Sequence, residues 1–210
     1  MRNEHDLVER AMNWVKSLLE RPFAYRLWQA AFADRKVRPM LVHIPRRHDA
    51  RVLDVGCGPG TNSRYFAPKG YVGIDINPRY IADAGRRHGG KFIAADVTTY
   101  PFEESGFDAI IVNSLLHHLT DEEVNRLLER VSKLVGRDGR VHILELEVPE
   151  RRSVASLLVR LDRGKYARSH GAWMAIFEKY FEPKLVQRFV LGVPMLPLWH
   201  MIYFNGASRA

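Results

Sequence analysis

The chain has 210 residues with 46% hydrophobic content, enough for one domain with a sizeable core, and its only cysteine, Cys57, excludes an intrachain disulfide and a cysteine-based zinc cluster. The charged stretch 1–10 argues against a secretory signal and the lack of a long apolar run argues against a transmembrane helix, so we expect a cytoplasmic protein. The formal net charge of +8 favours anionic partners, but the cations are scattered in short groups, which argues against a nucleic-acid substrate.

Residues 1–45 are predicted to form an N-terminal helical cap, and residues 46–210 a single domain. Apolar residues recur at helical spacing between about residues 4 and 38. Pro22 is expected to divide this stretch into two helices, and Pro39 and Pro45 mark a connector.

From Arg51 onward, short apolar runs alternate with helical stretches, which indicates a parallel sheet covered by helices on both faces. The predicted strands are 51–55, 71–74, 92–95, 109–112 and 141–146, and the predicted helices between them are 62–67, 79–88 and 122–135. The last helix has Thr120 or Asp121 as its predicted N-cap and Gly136 as its C-cap. After Pro149 we expect helices at 153–160 and 172–181, and an antiparallel pair of strands at 185–190 and 198–204.

Glycines 56, 58 and 60 stand where the first predicted strand turns into a helix, and they remove the Cβ atoms that would keep a ligand from the backbone. The spacing differs from the Gly-x-Gly-x-x-Gly of dinucleotide sites, and no Gly-Lys-Ser/Thr follows, as a P-loop would require. Asp54, two residues before the first glycine, would repel a pyrophosphate. The pattern therefore suits a ligand with a cationic amino group and no phosphate, such as S-adenosylmethionine.

Residues 50–147 resemble the class I S-adenosylmethionine-dependent methyltransferase family, in particular its small-molecule, quinone-biosynthesis-like branch. The resemblance rests on Asp54-x-Gly56-x-Gly58-x-Gly60, on Asp75 and Asp96 at the ends of the second and third strands, and on segments 107–119 and 139–145. It implies an α/β fold with a Rossmann-like, seven-stranded, mostly parallel sheet of order 3-2-1-4-5-7-6. It also implies methyl transfer from S-adenosylmethionine to an O, N or C atom of a small molecule, and the apolar C-terminal segment and the many aromatic residues favour a hydrophobic or aromatic acceptor.

The resemblance implies cofactor contacts along one edge of this sheet. Asp75 is expected to accept hydrogen bonds from the ribose hydroxyls, and Asp96 to meet the adenine amino group. Asp54 either contacts the methionyl amino group or caps the turn, and Asn113 serves the cofactor or the acceptor. The expected cofactor-binding residues are Asp54, Gly56, Cys57, Gly58, Gly60, Asn62, Asp75, Ile76, Asp96, Val97 and Asn113.

His117 and His118 follow the fourth strand, at the edge where open α/β sheets bind ligands. We predict one of them as a general base that deprotonates the acceptor. In the alternative, one histidine packs against the adenosyl group and the other orients a loop. The sulfonium is already a strong methyl donor, so a missing base would not argue against activity.

Contacts with the acceptor are expected from three places. These are the N-terminal helical cap, which would act as a lid, the end of the fifth strand, and the basic loop 161–170. The same residues could instead pack a helix on the sheet or form a solvated loop. We predict no metal site. The candidate acceptor-binding residues are Tyr25, Arg26, Glu145, Arg163, Tyr166, Arg168 and His170.

Three other functions stay open. A nucleic-acid methyltransferase is one, although no Asn/Asp-Pro-Pro-aromatic signature follows the fourth strand. A second is a protein that binds S-adenosylmethionine without transferring its methyl group. The third is a peripheral membrane protein with Phe189–Phe204 as its anchor.

Overall fold

The computed structural model describes residues 33–45, 47–66, 68–103, 105–149, 166–193 and 196–209. The chain divides into two units, Met1–Pro39 and Met40–Ala210, and the elements named below all belong to the second. Residues 33–41 are helical. The helices predicted before residue 33 and at 153–160 lie outside the described residues, and the cap boundary at residue 45 stays a prediction.

A seven-stranded sheet has the order β3-β2-β1-β4-β5-β7-β6, as the resemblance implies. Strands β1 to β5 pair in parallel, while β7 runs antiparallel to both β5 and β6. The strands are β1 (Val52–Val55), β2 (Tyr71–Asp75), β3 (Lys91–Ala94), β4 (Phe107–Asn113), β5 (Val135–Glu147), β6 (Phe181–Val193) and β7 (Leu196–Ser208).

Within the described residues, the α-helices between these strands are α1 (Pro78–Arg87), α2 (Asp121–Leu134) and α3 (His170–Tyr180). Helix α2 begins with a capping box, in which the Thr120 side chain accepts from the Glu123 backbone N–H and the Glu123 side chain accepts from the Thr120 N–H. The helix predicted at 62–67 is instead a short 3-10 helix, Thr61–Tyr65.

The predicted C-cap at Gly136 is wrong, because helix α2 passes directly into β5. Val135 is the C-cap in an extended conformation and pairs with Phe107 of β4. A Cβ on Gly136 would lie 3.2 Å from the Phe107 carbonyl oxygen, so the glycine allows close approach of β5 to β4.

The hydrophobic core fills the space between the sheet and helices α2 and α3. Ile110, Ile143 and Phe204 from the sheet pack there with Leu128 of α2 and Trp173 of α3, all at 0% exposure. Burial of each large side chain stabilises the fold by roughly 1.5–3 kcal/mol. The core thereby fixes the carboxyl ends of β4 and β5, which carry the candidate site.

No helix in the described part of the chain has the length and apolar character needed to cross a membrane. The apolar segment Phe189–Phe204, considered as an anchor, contributes to β6 and β7. Leu198, Met201 and Phe204 are buried there. The structure therefore gives these apolar side chains partners within the protein.

Candidate active site

The carboxyl ends of β1 to β5 lie along one edge of the sheet because the five strands run in the same direction. The chain order reverses between β1 and β4, which are direct neighbours. Open α/β sheets bind ligands at this kind of reversal, outside the carboxyl ends of the strands. The residues that follow β1, β2, β4 and β5 are therefore the first place to look for a site.

The turn after β1 has its three glycines in the left-handed region, with φ values of 70° at Gly56, 54° at Gly58 and 75° at Gly60. A Cβ on Gly56 would lie 2.8 Å from Cδ2 of Leu115, whereas a Cβ on Gly58 would meet nothing within 4 Å among the described residues. Gly56 is thus required by the packing of the turn. At Gly58 the backbone borders open space that a ligand can enter.

Asp54 is 1% exposed and lies on β1 just before this turn. Its Oδ2 accepts hydrogen bonds from the Tyr71 hydroxyl at 2.7 Å and from Nδ2 of Asn62 at 3.1 Å. Its Oδ1 is buried without a hydrogen-bond partner among the described residues. Burial raises the pKa of Asp54 to about 6, although the hydrogen bonds from Tyr71 and Asn62 oppose the rise. The free oxygen fits a cationic amino group.

The Asp75 carboxylate stands at the end of β2 and joins that strand to the glycine turn. Its Oδ2 accepts from the Gly58 N–H at 2.9 Å and its Oδ1 accepts from the Asn77 N–H at 2.8 Å. Each carboxylate oxygen has a second lone pair, so both retain room for a hydroxyl donor. Asn77, and not Asp75, caps helix α1. Ile76 follows with 75% of its surface exposed, which adds an apolar surface beside the carboxylate.

Asp96 and Val97 follow β3 and lie in a tight turn. Oδ1 of Asp96 accepts from both the N–H and the hydroxyl of Thr98, each at 2.8 Å, and its carbonyl oxygen accepts from the Tyr100 N–H. Val97 is buried in the core. Asp96 thus caps this turn, and its contact with an adenine group stays a prediction.

Two neighbouring residues at the end of β4 each have a buried polar atom that the described part of the chain leaves without a hydrogen-bond partner. Oδ1 of Asn113 and Oγ of Ser114 are buried without a hydrogen-bond partner among the described residues. Ser114 has a φ of 51°, an unusual value for a residue other than glycine. Asn113 was predicted for the site and Ser114 was not, although its place directly after β4 was a usable signal. Strained backbone and unsatisfied groups cluster at functional sites.

His117 and Glu145 form a buried pair at the ends of β4 and β5. His117 Nδ1 lies 2.6 Å from Oε2 of Glu145, and the two residues are 3% and 0% exposed. Oε1 of Glu145 also accepts from the N–H groups of Leu115 and Leu116, each at 2.7 Å. Glu145 is predicted as a contact of the acceptor, but both of its carboxylate oxygens contact His117 or the backbone next to it. Sequence reasoning missed this pairing.

His118 is exposed and lies against His117, with 4.1 Å between the ring centroids. Both belong to the short 3-10 helix Leu116–His118, which we call the histidine turn. The structure therefore brings the two predicted histidines together and gives them different surroundings.

Arg168 stabilises the histidine turn through hydrogen bonds from its guanidinium group. Its guanidinium donates to the carbonyl oxygens of Leu116, Leu119 and Tyr166 and twice to Oδ1 of Asp121, over distances of 2.6–3.2 Å. These five hydrogen bonds use the five N–H groups of an arginine side chain. We therefore interpret Arg168 as a structural residue, since no N–H is left for the predicted contact with an acceptor.

Tyr166 and His170 flank Arg168 in sequence. The Tyr166 N–H donates to the His117 carbonyl oxygen, and the side chain of Tyr166 is 41% exposed. Nδ1 of His170 lies 3.5 Å from Oε2 of the buried Glu147, which is also paired with Arg188. Tyr25, Arg26 and Arg163 lie outside the described residues. The described residues include no group of three or more His, Cys, Asp or Glu that could hold a metal ion.

Comparison with known proteins gives matches to methyltransferases. Residues 52–139 match the family model described as a methyltransferase domain. The trans-aconitate 2-methyltransferase of Rhizobium etli is 26% identical over 202 residues, which cover 86% of this chain and 73% of that protein. The malonyl-acyl-carrier-protein O-methyltransferase of Enterobacter lignolyticus is 33% identical over 82 residues, which cover 38% of this chain and 33% of that protein. The chain spans about half the length of other relatives.

Among solved structures, the Burkholderia thailandensis 1,6-didemethyltoxoflavin-N1-methyltransferase superposes with a TM-score of 0.67 at 23% identity. The match covers 100% of this chain and 91% of that one, which was crystallised with 1,6-didemethyltoxoflavin and S-adenosylhomocysteine. At this identity the likeness shows the fold alone. Residues 52–139 thus match a methyltransferase domain, and the strand order is the one that the resemblance to class I S-adenosylmethionine-dependent methyltransferases implies.

Proposed function

We propose that this chain transfers a methyl group from S-adenosylmethionine to a small-molecule acceptor. The observation that carries the proposal is the buried Oδ1 of Asp54, which has no partner among the described residues and borders the glycine turn. An unpaired buried carboxylate oxygen is costly, and an ammonium group is the partner that offsets this cost best.

Three groups along the edge of the sheet fit the rest of the ligand. The Asp75 carboxylate offers its remaining lone pairs to the ribose hydroxyls, and the exposed Ile76 side chain offers an apolar surface to the adenine ring. The open space beside Gly58 lets the ligand approach the backbone. When bound, the cofactor supplies an electrophilic methyl group, whose bonding electrons stay on sulfur as the acceptor forms the new bond.

The names of similar proteins support a small acceptor. The relative from Rhizobium etli is named for trans-aconitate, and the neighbour from Burkholderia thailandensis is named an N1-methyltransferase of 1,6-didemethyltoxoflavin. The scattered positive charge gives no stripe for a nucleic-acid backbone. We propose an O, N or C atom of a hydrophobic or aromatic small molecule as the methyl acceptor, and the cytoplasm as the compartment.

Calorimetric titration of the purified chain with S-adenosylmethionine, and separately with S-adenosylhomocysteine, tests the proposed site. Binding of both in the micromolar range, followed by transfer of a labelled methyl group to an acceptor from a panel, would support the function. Failure of folded protein to bind either ligand would contradict the site. Binding without transfer to any acceptor would favour a protein that binds the cofactor and lacks methylating activity.

A further inference from the structure

The carboxylate of Glu145 is surrounded by hydrogen-bond donors. The N–H groups of Leu115 and Leu116 donate to Oε1, the Leu146 N–H donates to Oε2 at 3.3 Å, and Nδ1 of the His117 ring lies 2.6 Å from Oε2. Hydrogen bonds from the three backbone N–H groups favour the ionised form of the carboxylate, which then accepts from the His117 ring as well. The surroundings of the fully buried side chain thus favour a carboxylate that only accepts hydrogen bonds.

An anionic Glu145 determines the tautomer of His117. Because the carboxylate only accepts, the proton of the neutral imidazole must lie on Nδ1, and Nε2 is left with its lone pair. A carboxylate paired with an imidazole in this way orients the general base of other enzymes, where the imidazole takes a proton from a hydroxyl group. The pair thus has the geometry of an oriented base next to the edge that carries the proposed cofactor site.

We propose that Glu145 is a positioning residue that holds His117 in the Nδ1–H tautomer, so that Nε2 accepts the proton lost by the methyl acceptor. This inference rests on the proposed function. The acceptor atom gains the methyl group and loses one proton, the proton moves to Nε2, and it then passes to solvent. The substrate class is therefore a molecule with a hydroxyl or N–H group, since a carboxylate has no proton to lose at neutral pH.

The other groups around His117 are compatible with this role. The His118 ring lies against the His117 ring at an interplanar angle of 42°, and Tyr166 and Arg168 contact the backbone of the histidine turn from the segment before α3. Asp121, at the start of α2, is neutralised by Arg168. Glu145 is the group that bonds directly to the His117 ring.

Glu145→Gln is the test variant, because its amide oxygen can still accept from the Leu115 and Leu116 N–H groups, and we expect the fold to be retained. NMR of protein with isotope-labelled histidine nitrogens reports the tautomer of His117 without any acceptor. We expect the proton on Nδ1 in the wild type and a change of tautomer in the variant. Glu147→Gln, a second buried glutamate two residues along β5, should leave the His117 signals unchanged. Identical signals in wild type and Glu145→Gln would overturn the positioning role.

Turnover is the second readout, measured with phenols and azoles against carboxylic acids of similar size. We expect Glu145→Gln to lower kcat on a protic acceptor by roughly 10²-fold and to change the acid limb of its pH profile, with S-adenosylhomocysteine affinity unchanged. Turnover of carboxylic acids alone, or unchanged kcat, would overturn the inference. If the wild type did not bind S-adenosylhomocysteine, that result would count against the proposed function. The NMR result would still decide the role of Glu145.

Discussion

At the scale of single residues, Asp54 combines a free buried oxygen with a pKa raised to about 6, mainly by burial. A cationic amino group at this oxygen favours the ionised form, so binding displaces the proton when the pH is below the pKa. We expect S-adenosylmethionine affinity to fall about tenfold per unit as the pH drops below about 6, and to level off above it. Calorimetry across this range measures the slope. Asp54→Asn should bind weakly with no such slope, and a wild-type affinity independent of pH would contradict the assignment.

Asp75 has lone pairs free for the ribose because each oxygen accepts one backbone N–H. We expect Asp75→Asn to weaken binding of S-adenosylhomocysteine by on the order of 1–3 kcal/mol through loss of charge-assisted hydrogen bonds. Asp83→Asn, which removes the carboxylate of an ion pair with Arg86 on α1, is the control and should bind normally. Equal dissociation constants for the wild type and a folded Asp75→Asn variant would rule out the ribose contact.

At the scale of elements, two residues hold the histidine turn in place. Glu145 accepts a hydrogen bond from the Leu116 N–H, and Arg168 donates one to the Leu116 carbonyl oxygen. Lysine retains the charge at position 168 and cannot reproduce five directed hydrogen bonds. We expect Arg168→Lys to lower the free energy of unfolding by about 1–3 kcal/mol and to speed amide exchange at residues 115–120.

Urea unfolding and hydrogen exchange measure these effects of Arg168→Lys. Lys133→Ala, which breaks an exposed ion pair with Glu129 on α2, serves as the control and should change stability very little. If amide exchange in the histidine turn were as slow in the Arg168→Lys variant as in the wild type, Arg168 would not be the residue that stabilises the turn.

At the scale of the whole molecule, we expect stability in acid to depend on a buried histidine of β5. His142 on β5 is fully buried, with Nδ1 2.9 Å from the Tyr203 hydroxyl. Burial lowers its pKa from 6.5 to about 3, with smaller contributions from His43 and Arg140. The unfolded chain therefore binds a proton that the folded chain excludes, and the stability due to neutral His142 is lost as the pH falls from about 6.5 towards 3.

We expect His142→Gln to flatten the acid limb of the stability profile, by up to about 1.4 kcal/mol per pH unit between pH 6.5 and 4.5. Denaturant unfolding at several pH values measures this slope. His48→Gln, at an exposed histidine, should retain the wild-type slope. Parallel profiles for the wild type and His142→Gln would show that another group controls acid unfolding.

The glycine turn and strands β1 to β5 could be predicted because their signals are local: short apolar runs and a glycine motif that directly follows one of them. The same local signals put Asp54 and Asp75 next to the glycine turn, and their contacts with the cofactor stay predictions. The pairing of Glu145 with His117 could not be predicted, since it depends on the register of β4 and β5 and on the path of the turn between them. Likewise, nothing local in the sequence shows that all five donors of Arg168 are directed to protein oxygens.

Strand β7 lies between β5 and β6, although it follows both of them in the chain. During synthesis, β5 therefore leaves the ribosome long before its neighbour does, and one edge of its backbone stays unpaired while α3 and β6 are translated. An unpaired hydrophobic edge is a template for pairing with other chains. The histidine turn and the end of β5 consequently gain their final support only after translation of β7, so the nascent chain depends on rapid completion or on chaperones to avoid aggregation.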